Sequence, residues 1–258
     1  MVEMKQTKWW EEFNERSILI GYRGSKTFGT FRPSTDPKSI DDIDVMGVLM
    51  QPLEAYYGFG RQETYERMEL PWDVVVYDTK KFVDLLTKMN PNVLSLLWLP
   101  KNLYIKVDPL GQRLIDNRDL FVSKEAYKSF TGYAYSQLHK MDHGAFQGYM
   151  GEKRKKLVEA HGYDTKNASH LIRLLKTGME FVSTGTLNVM REDNTYLVDI
   201  KNGKYPVTYI KEEADRLFKL SELALVNSKL PDRVDKDKAE KLLVGIMKDY
   251  FARELCVK

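Results

Sequence analysis

The chain has 258 residues, 43% of them hydrophobic and 30% charged, which describes a globular protein large enough for a substantial core and excludes an intrinsically disordered one. Its net charge of +3 is too small to argue for nucleic acid without local clustering, and a lone cysteine, Cys256, excludes an internal disulfide framework. The opening MVEMKQTKWWEEFNER lacks the apolar stretch of a secretory leader, and no apolar run approaches a membrane span, so a cytoplasmic protein without a membrane partner is expected.

In chain order, a short helix is expected around WWEEFNE, and SILIGYRGS reads as a strand that runs into a glycine turn. DDIDVMGVLM reads as a second strand. WDVVVYD, with Pro71 before it, reads as a third, and the YYGFGRQETYERME between them as a hairpin or an insertion. From Thr79 the period changes: Phe82, Leu85, Leu86 and Met89 recur at helical spacing, and Asn90-Pro91 starts another helix. Beyond residue 122 the pattern is almost wholly helical. SKEAYKSFTGYAYSQLHKM opens with Ser123 as N-cap, and TKNASHLIRLLKTGMEFVSTG is capped by Thr165 or Asp164 and closes near Gly185. KEEADRLFKLSELALVN and DKDKAEKLLVGIMKDYFAREL supply two more helices. This divides the chain into a mixed α/β part, 1–122, and a helical part, 123–258, with no repeat and no low-complexity segment.

The second strand opens with three aspartates in four positions. Crowded carboxylates repel and raise one another's pKa, so a cation or a catalytic role must offset their proximity. On a strand, Asp42 and Asp44 project to one side and Asp41 and Ile43 to the other, which makes Asp42 and Asp44 a pair of oxygen ligands for a hard divalent cation and leaves Asp41 to the turn. Gly24-Ser25 follows the first strand, where glycine lets the backbone approach a phosphate and the serine hydroxyl donates to it. Asp73 heads the third strand and completes a carboxylate triad. Asp78, its rival at the strand's far end, is better suited to capping the next helix. Three carboxylates so placed are what two-metal phosphoryl or nucleotidyl transfer requires.

GYRGSKTFGT, SIDDIDVMGV and WDVVVYDTKKFVDLLTKMNPNVLSLLW resemble the DNA polymerase β-type nucleotidyltransferase superfamily. The likeness extends through SKEAYKSFTGYAYSQL and GYDTKNASHLIRLLKTGMEFVSTGTL, over most of residues 18–245, to the group of predicted nucleotidyltransferases associated with RNA-repair ligases. The resemblance implies an α+β fold: a small mixed sheet with flanking helices and a helical C-terminal region. It implies magnesium-dependent transfer of an NMP from an NTP, with two Mg²⁺ ions or Mn²⁺ in their place. Carried over, Gly24 and Ser25 form the phosphate turn, Asp42 and Asp44 are metal ligands, and Asp73 is the third carboxylate. The group carries a glutamate near Ser95, from which this chain departs.

In the helical part Lys166, His170, Arg173 and Thr177 share one helix face, while Leu171, Leu174, Leu175 and Met179 supply the packing stripe. A Lys-His-Arg stripe facing a cleft suits a triphosphate; the alternative is a solvated face. Arg23 and Lys26 flank the Gly-Ser turn and are further phosphate candidates. EKRKK (Glu152–Lys156) is the densest basic run, an RNA-backbone contact or exposed helix surface, with Tyr149 and Tyr163 as stacking candidates. His139 and His143 at i, i+4 have a zinc-like spacing without a third ligand. The expected function is therefore a nucleotidyltransferase acting on an RNA end, tRNA-like in kind. A transferase that modifies a protein or small molecule, and an inert nucleotide- or RNA-binding module, are the alternatives. Base, acceptor and oligomeric state are not readable from the sequence.

Overall fold

The computed structural model describes residues 4–32, 41–60, 62–143 and 152–256. The first half comprises α1 (Lys8–Phe13), β1 (Ser17–Tyr22), β2 (Ile43–Leu49), α2 (Leu53–Tyr57), β3 (Thr64–Glu69), β4 (Trp72–Asp78), α3 (Thr79–Thr87), α4 (Pro91–Leu94), β5 (Tyr104–Val107) and α5 (Pro109–Asp116). Helices follow: α6 (Ala126–His143), α7 (Glu152–His161), α8 (Thr165–Thr184), α9 (Asn194–Lys201), α10 (Val207–Asn227) and α11 (Lys236–Cys256). The α+β class holds. The strands form one mixed sheet in the order β3-β4-β2-β1-β5, with β2 and β4 parallel and the other neighbours antiparallel.

The sheet separates two apolar layers. Val45, Leu49, Val74 and Val76 point to the face covered by Trp9 and Phe13 of α1. Met46, Val48 and Val75 point the opposite way, into the large core shared with the helices. By strand alternation Asp44 and Asp73 belong to this second face, so the chain's helical half is the wall they look at.

Several local expectations change. The YYGFGRQETYERME segment carries the last two residues of α2 and then β3, which forms a hairpin with β4. β5 went unread: four residues with a lysine in the middle give too little alternation to stand out. Ser123 does not cap α6, which begins at Ala126; its hydroxyl is buried with no protein partner among the described residues. Asp164 rather than Thr165 caps α8, accepting from Asn167 N at 3.0 Å, and Gly185 closes it in the left-handed conformation at φ 74°.

Candidate active site

β2 begins at Ile43, not at Asp41, and everything about the aspartates follows from that shift. Asp44 lies directly beside Asp73 in the parallel register of β2 and β4, at adjacent-strand spacing. Arg23, one residue past β1, donates its backbone N–H to Asp44 O at 3.0 Å, which extends the antiparallel ladder to the site. Its guanidinium Nη2 lies 3.1 Å from an Asp73 oxygen and 3.8 Å from Asp44 Oδ1. Gly24 follows at φ 64°, and a Cβ there would fall 2.1 Å from Asp44 Oδ2. Only glycine tolerates both the conformation and the contact.

Burial, more than any neighbour, pushes the Asp44 carboxyl up to about 6. Arg23 opposes that rise, Asp73 adds to it, Lys166 opposes it and Asp42 adds to it, so all four stand close enough to be felt. Asp42 precedes the strand, half-buried, and is not among the residues lining the cavity described below. Asp41, expected to point away, lines that cavity instead. Strand alternation does not apply to it, because it lies in the turn. Its carboxylate is buried and accepts from Lys201 Nζ at 2.6 Å and from Arg32 N at 3.0 Å, with Lys166 Nζ 3.8 Å away. Lys201 also donates to Thr30 O at 3.4 Å, so this ion pair fastens the turn before β2 to α9. Asp78 is fully buried and caps α3, accepting from Lys80 N and Lys81 N and from Tyr56 Oη.

These groups open on a cavity of about 580 Å³, within the range of small-molecule sites. The sheet contributes Arg23, Gly24, Ser25, Asp41, Asp44 and Asp73; α8 contributes Lys166, His170 and Arg173. The structure therefore brings most of the predicted residues to one place. Lys26 is elsewhere: its ammonium sits 3.7 Å over the Tyr22 ring and does not line the cavity. Thr177 is buried away from it.

Arg173 has an unusual setting. Its guanidinium lies 3.8 Å over the Phe28 ring, and its Nε is shielded from solvent with no hydrogen-bond partner among the described residues. Burial, and then Arg191, push its pKa down to about 9. Arg191 is itself engaged: it donates to Glu180 and Asp193 at 2.8 Å each, and Lys176 holds Asp193 as well. Ser25 Oγ is likewise buried without a partner. Buried donors left unsatisfied are costly, and an anion in the cavity would relieve both.

A further wall was not read from the sequence. Asn92 of α4 and Ser95 at its C-cap, with Tyr133, Ser136, Gln137 and Lys140 on α6, also line the cavity. Ser95, at the position where the resemblance expects a glutamate, is buried and donates to Asn92 O at 2.9 Å. The RNA and zinc candidates fare differently. Tyr163 is buried and donates to Tyr205 O at 2.7 Å, so it offers no stacking face. Lys155 and Lys156 are exposed on α7. Tyr149 lies outside the described residues, as do the side chains of His143 and of Glu152, Lys153 and Arg154. Among the described residues no three His, Cys, Asp or Glu side chains are gathered as a ready metal cage, and no helix is long and apolar enough to cross a membrane.

The model of a family described as "RlaP: RNA repair pathway DNA polymerase beta family" matches residues 2–242. Among curated proteins no sequence matches this chain. The crystal structure of a nucleotidyltransferase-like protein from Exiguobacterium sibiricum 255-15 is similar at 11% identity and a TM-score of 0.31, covering 95% of this chain and 72% of that one.

Proposed function

The chain belongs to the RNA repair pathway DNA polymerase beta family, and from that premise we propose that it transfers an NMP from an NTP to an acceptor hydroxyl, with an RNA end, tRNA-like in kind, as acceptor. The observation that carries this reading is the polarity of the cavity: Asp44 and Asp73 side by side at one wall, and an arginine with no carboxylate partner among the described residues on another.

The donor set fits magnesium. Hard oxygen ligands stand in register, and Mg²⁺ is commonly bound by one or two carboxylates completed by water and substrate phosphates. Asp44 and Asp73 would hold such ions, or Mn²⁺ in their place, with Asp42 outside the cavity lining yet near enough to add its charge; when bound they neutralise phosphate charge and make the acceptor hydroxyl more acidic. Arg23 neutralises the same carboxylates from within the chain. On the other wall Arg173 and Lys166 grip the β- and γ-phosphates, while Ser25 donates to them from the turn that Gly24 keeps tight. In this reading the acceptor hydroxyl gives its proton to solvent and its oxygen attacks the α-phosphorus in line; the new O–P bond forms as the bond to the β-phosphate oxygen breaks, and pyrophosphate leaves. Residues 1–122 carry the carboxylates, and 123–258 close the cleft.

Incubation with each α-labelled NTP, Mg²⁺ or Mn²⁺, and total RNA tests the reading. Label transferred to RNA, and lost in Asp44→Asn, is the expected result. Label on protein or a small molecule would keep the chemistry and replace the acceptor; binding of nucleotide or RNA with no turnover would overturn it.

A further inference from the structure

The cavity's two helical walls differ in chemistry. α6 and α8 run antiparallel: Phe130 packs on Gly178 and Phe181, while residues 133–140 face the cavity together with residues 166–174. The α8 wall presents Lys166, His170 and Arg173, a row suited to phosphate. On α6, Tyr133, Ser136 and Gln137 stand at i, i+3 and i+4, a run in which every group both donates and accepts, and Lys140 at i+7 carries the charge at its far end. Tyr133 Oη already accepts from Asn90 Nδ2 at 2.8 Å, which fixes the ring against α4 and leaves its own proton to give. Gln137 is half-buried, and neither its amide nor the Ser136 hydroxyl has a hydrogen-bond partner among the described residues.

An NTP is divided in the same way. Its phosphates accept hydrogen bonds and carry negative charge; its nucleoside is neutral and presents donors and acceptors side by side. A half-buried amide without a partner complements a base edge carrying one of each, whereas lysine and arginine, donors only, do not. We infer that the α6 stripe is the nucleoside subsite of the incoming NTP, with Gln137 reading the edge of the base and Tyr133 bounding it. The inference rests on the nucleotidyl-transfer reading and adds to it the residue that selects the base.

The test is affinity for the four NTPs and for inorganic tripolyphosphate, with the kcat/KM ratio among NTPs, in wild type, Gln137→Leu and Gln137→Glu. Thermal melts establish that each variant folds. Wild type should prefer one base. Gln137→Leu should shrink that preference by about 5- to 150-fold, the worth of one bidentate contact, and Gln137→Glu, which only accepts, should shift it toward a base edge rich in donors. Tripolyphosphate affinity should hold in both. Equal use of all four NTPs by wild type, or an unaltered preference in both variants, would overturn the inference while leaving nucleotidyl transfer standing. A change confined to the choice of acceptor would overturn it too and give the stripe to the acceptor's end. Wild type that binds neither NTP nor tripolyphosphate would remove both the inference and the reading beneath it.

Discussion

The sheet side and the α8 side of the cavity hold charge in opposite ways. At the sheet, Asp44 and Asp73 stand together with one guanidinium, Arg23, between them. On α8, Arg173 stands over a phenyl ring with no carboxylate paired to it among the described residues, while the charge it feels is that of Arg191. Each side is short of the opposite charge, and the deficits face one another across one cavity. A third arrangement three residues from Asp44 shows what a settled site looks like. Asp41 is more deeply buried, yet its carboxylate is closed on by Lys201 and approached by Lys166. Burial with a partner marks architecture, and burial with too little charge in reach marks a place for a ligand.

The largest effect that can break this comparison is Asp44→Asn. Transfer should fall to background while the fold persists. In the metal-free protein the native state holds the Asp44 proton more tightly than the unfolded chain does, so stability is fullest below the ordinary carboxylate range and is lost as pH rises through about 6. That loss amounts to at most about 3 kcal/mol, and the asparagine variant should flatten it. Urea melts between pH 4 and 8 measure this; turnover in the variant, or an unchanged slope, would contradict the assignment. Asp73→Asn should also abolish transfer, whereas Asp78→Asn should weaken the α3 cap and act through stability.

Asp41→Asn comes next and should act mainly on stability, because it leaves Lys201 charged and buried, at about 3–5 kcal/mol. Asp41→Leu combined with Lys201→Met should recover most of that loss. If the double variant stays as unstable as the single one, the pair is not what holds the turn.

Arg173→Ala should raise the apparent KM for NTP by about 10- to 150-fold, through loss of a charge-assisted contact of roughly 1.5–3 kcal/mol. Acceptor affinity should move little, because in-line attack comes from the other side of the α-phosphorus. Smallest is Lys155→Ala with Lys156→Ala, which should leave NTP affinity intact and reduce RNA affinity and its salt dependence. RNA titrations at two ionic strengths decide it; unchanged RNA binding returns these lysines to solvated surface.

The parts of this molecule that were legible in the sequence are those where one residue per position carries a strong constraint. Valine-rich alternation marked β2 and β4, and aspartates on both implied a shared site; the parallel register puts Asp44 level with Asp73. Asp41 was left to the turn, yet its direction was taken from a strand start two residues too early, and a turn obeys no such period. Lys201 was invisible as its partner, since nothing local relates residues 160 apart. The α6 stripe was unreadable for another reason. Tyr-Ser-Gln at helical spacing is also what a solvated face carries, and only the cavity distinguishes the two.

The bond between Lys201 and Asp41 also sets a timetable. A ribosome adding about 5–20 residues per second needs roughly 8–32 seconds to travel from one to the other. Throughout that interval the nascent chain carries Asp41 without the lysine that neutralises it, and for most of it Arg173 is still to come as well. The sheet can pair its strands early, but the cavity cannot be finished before α9 has emerged and docked.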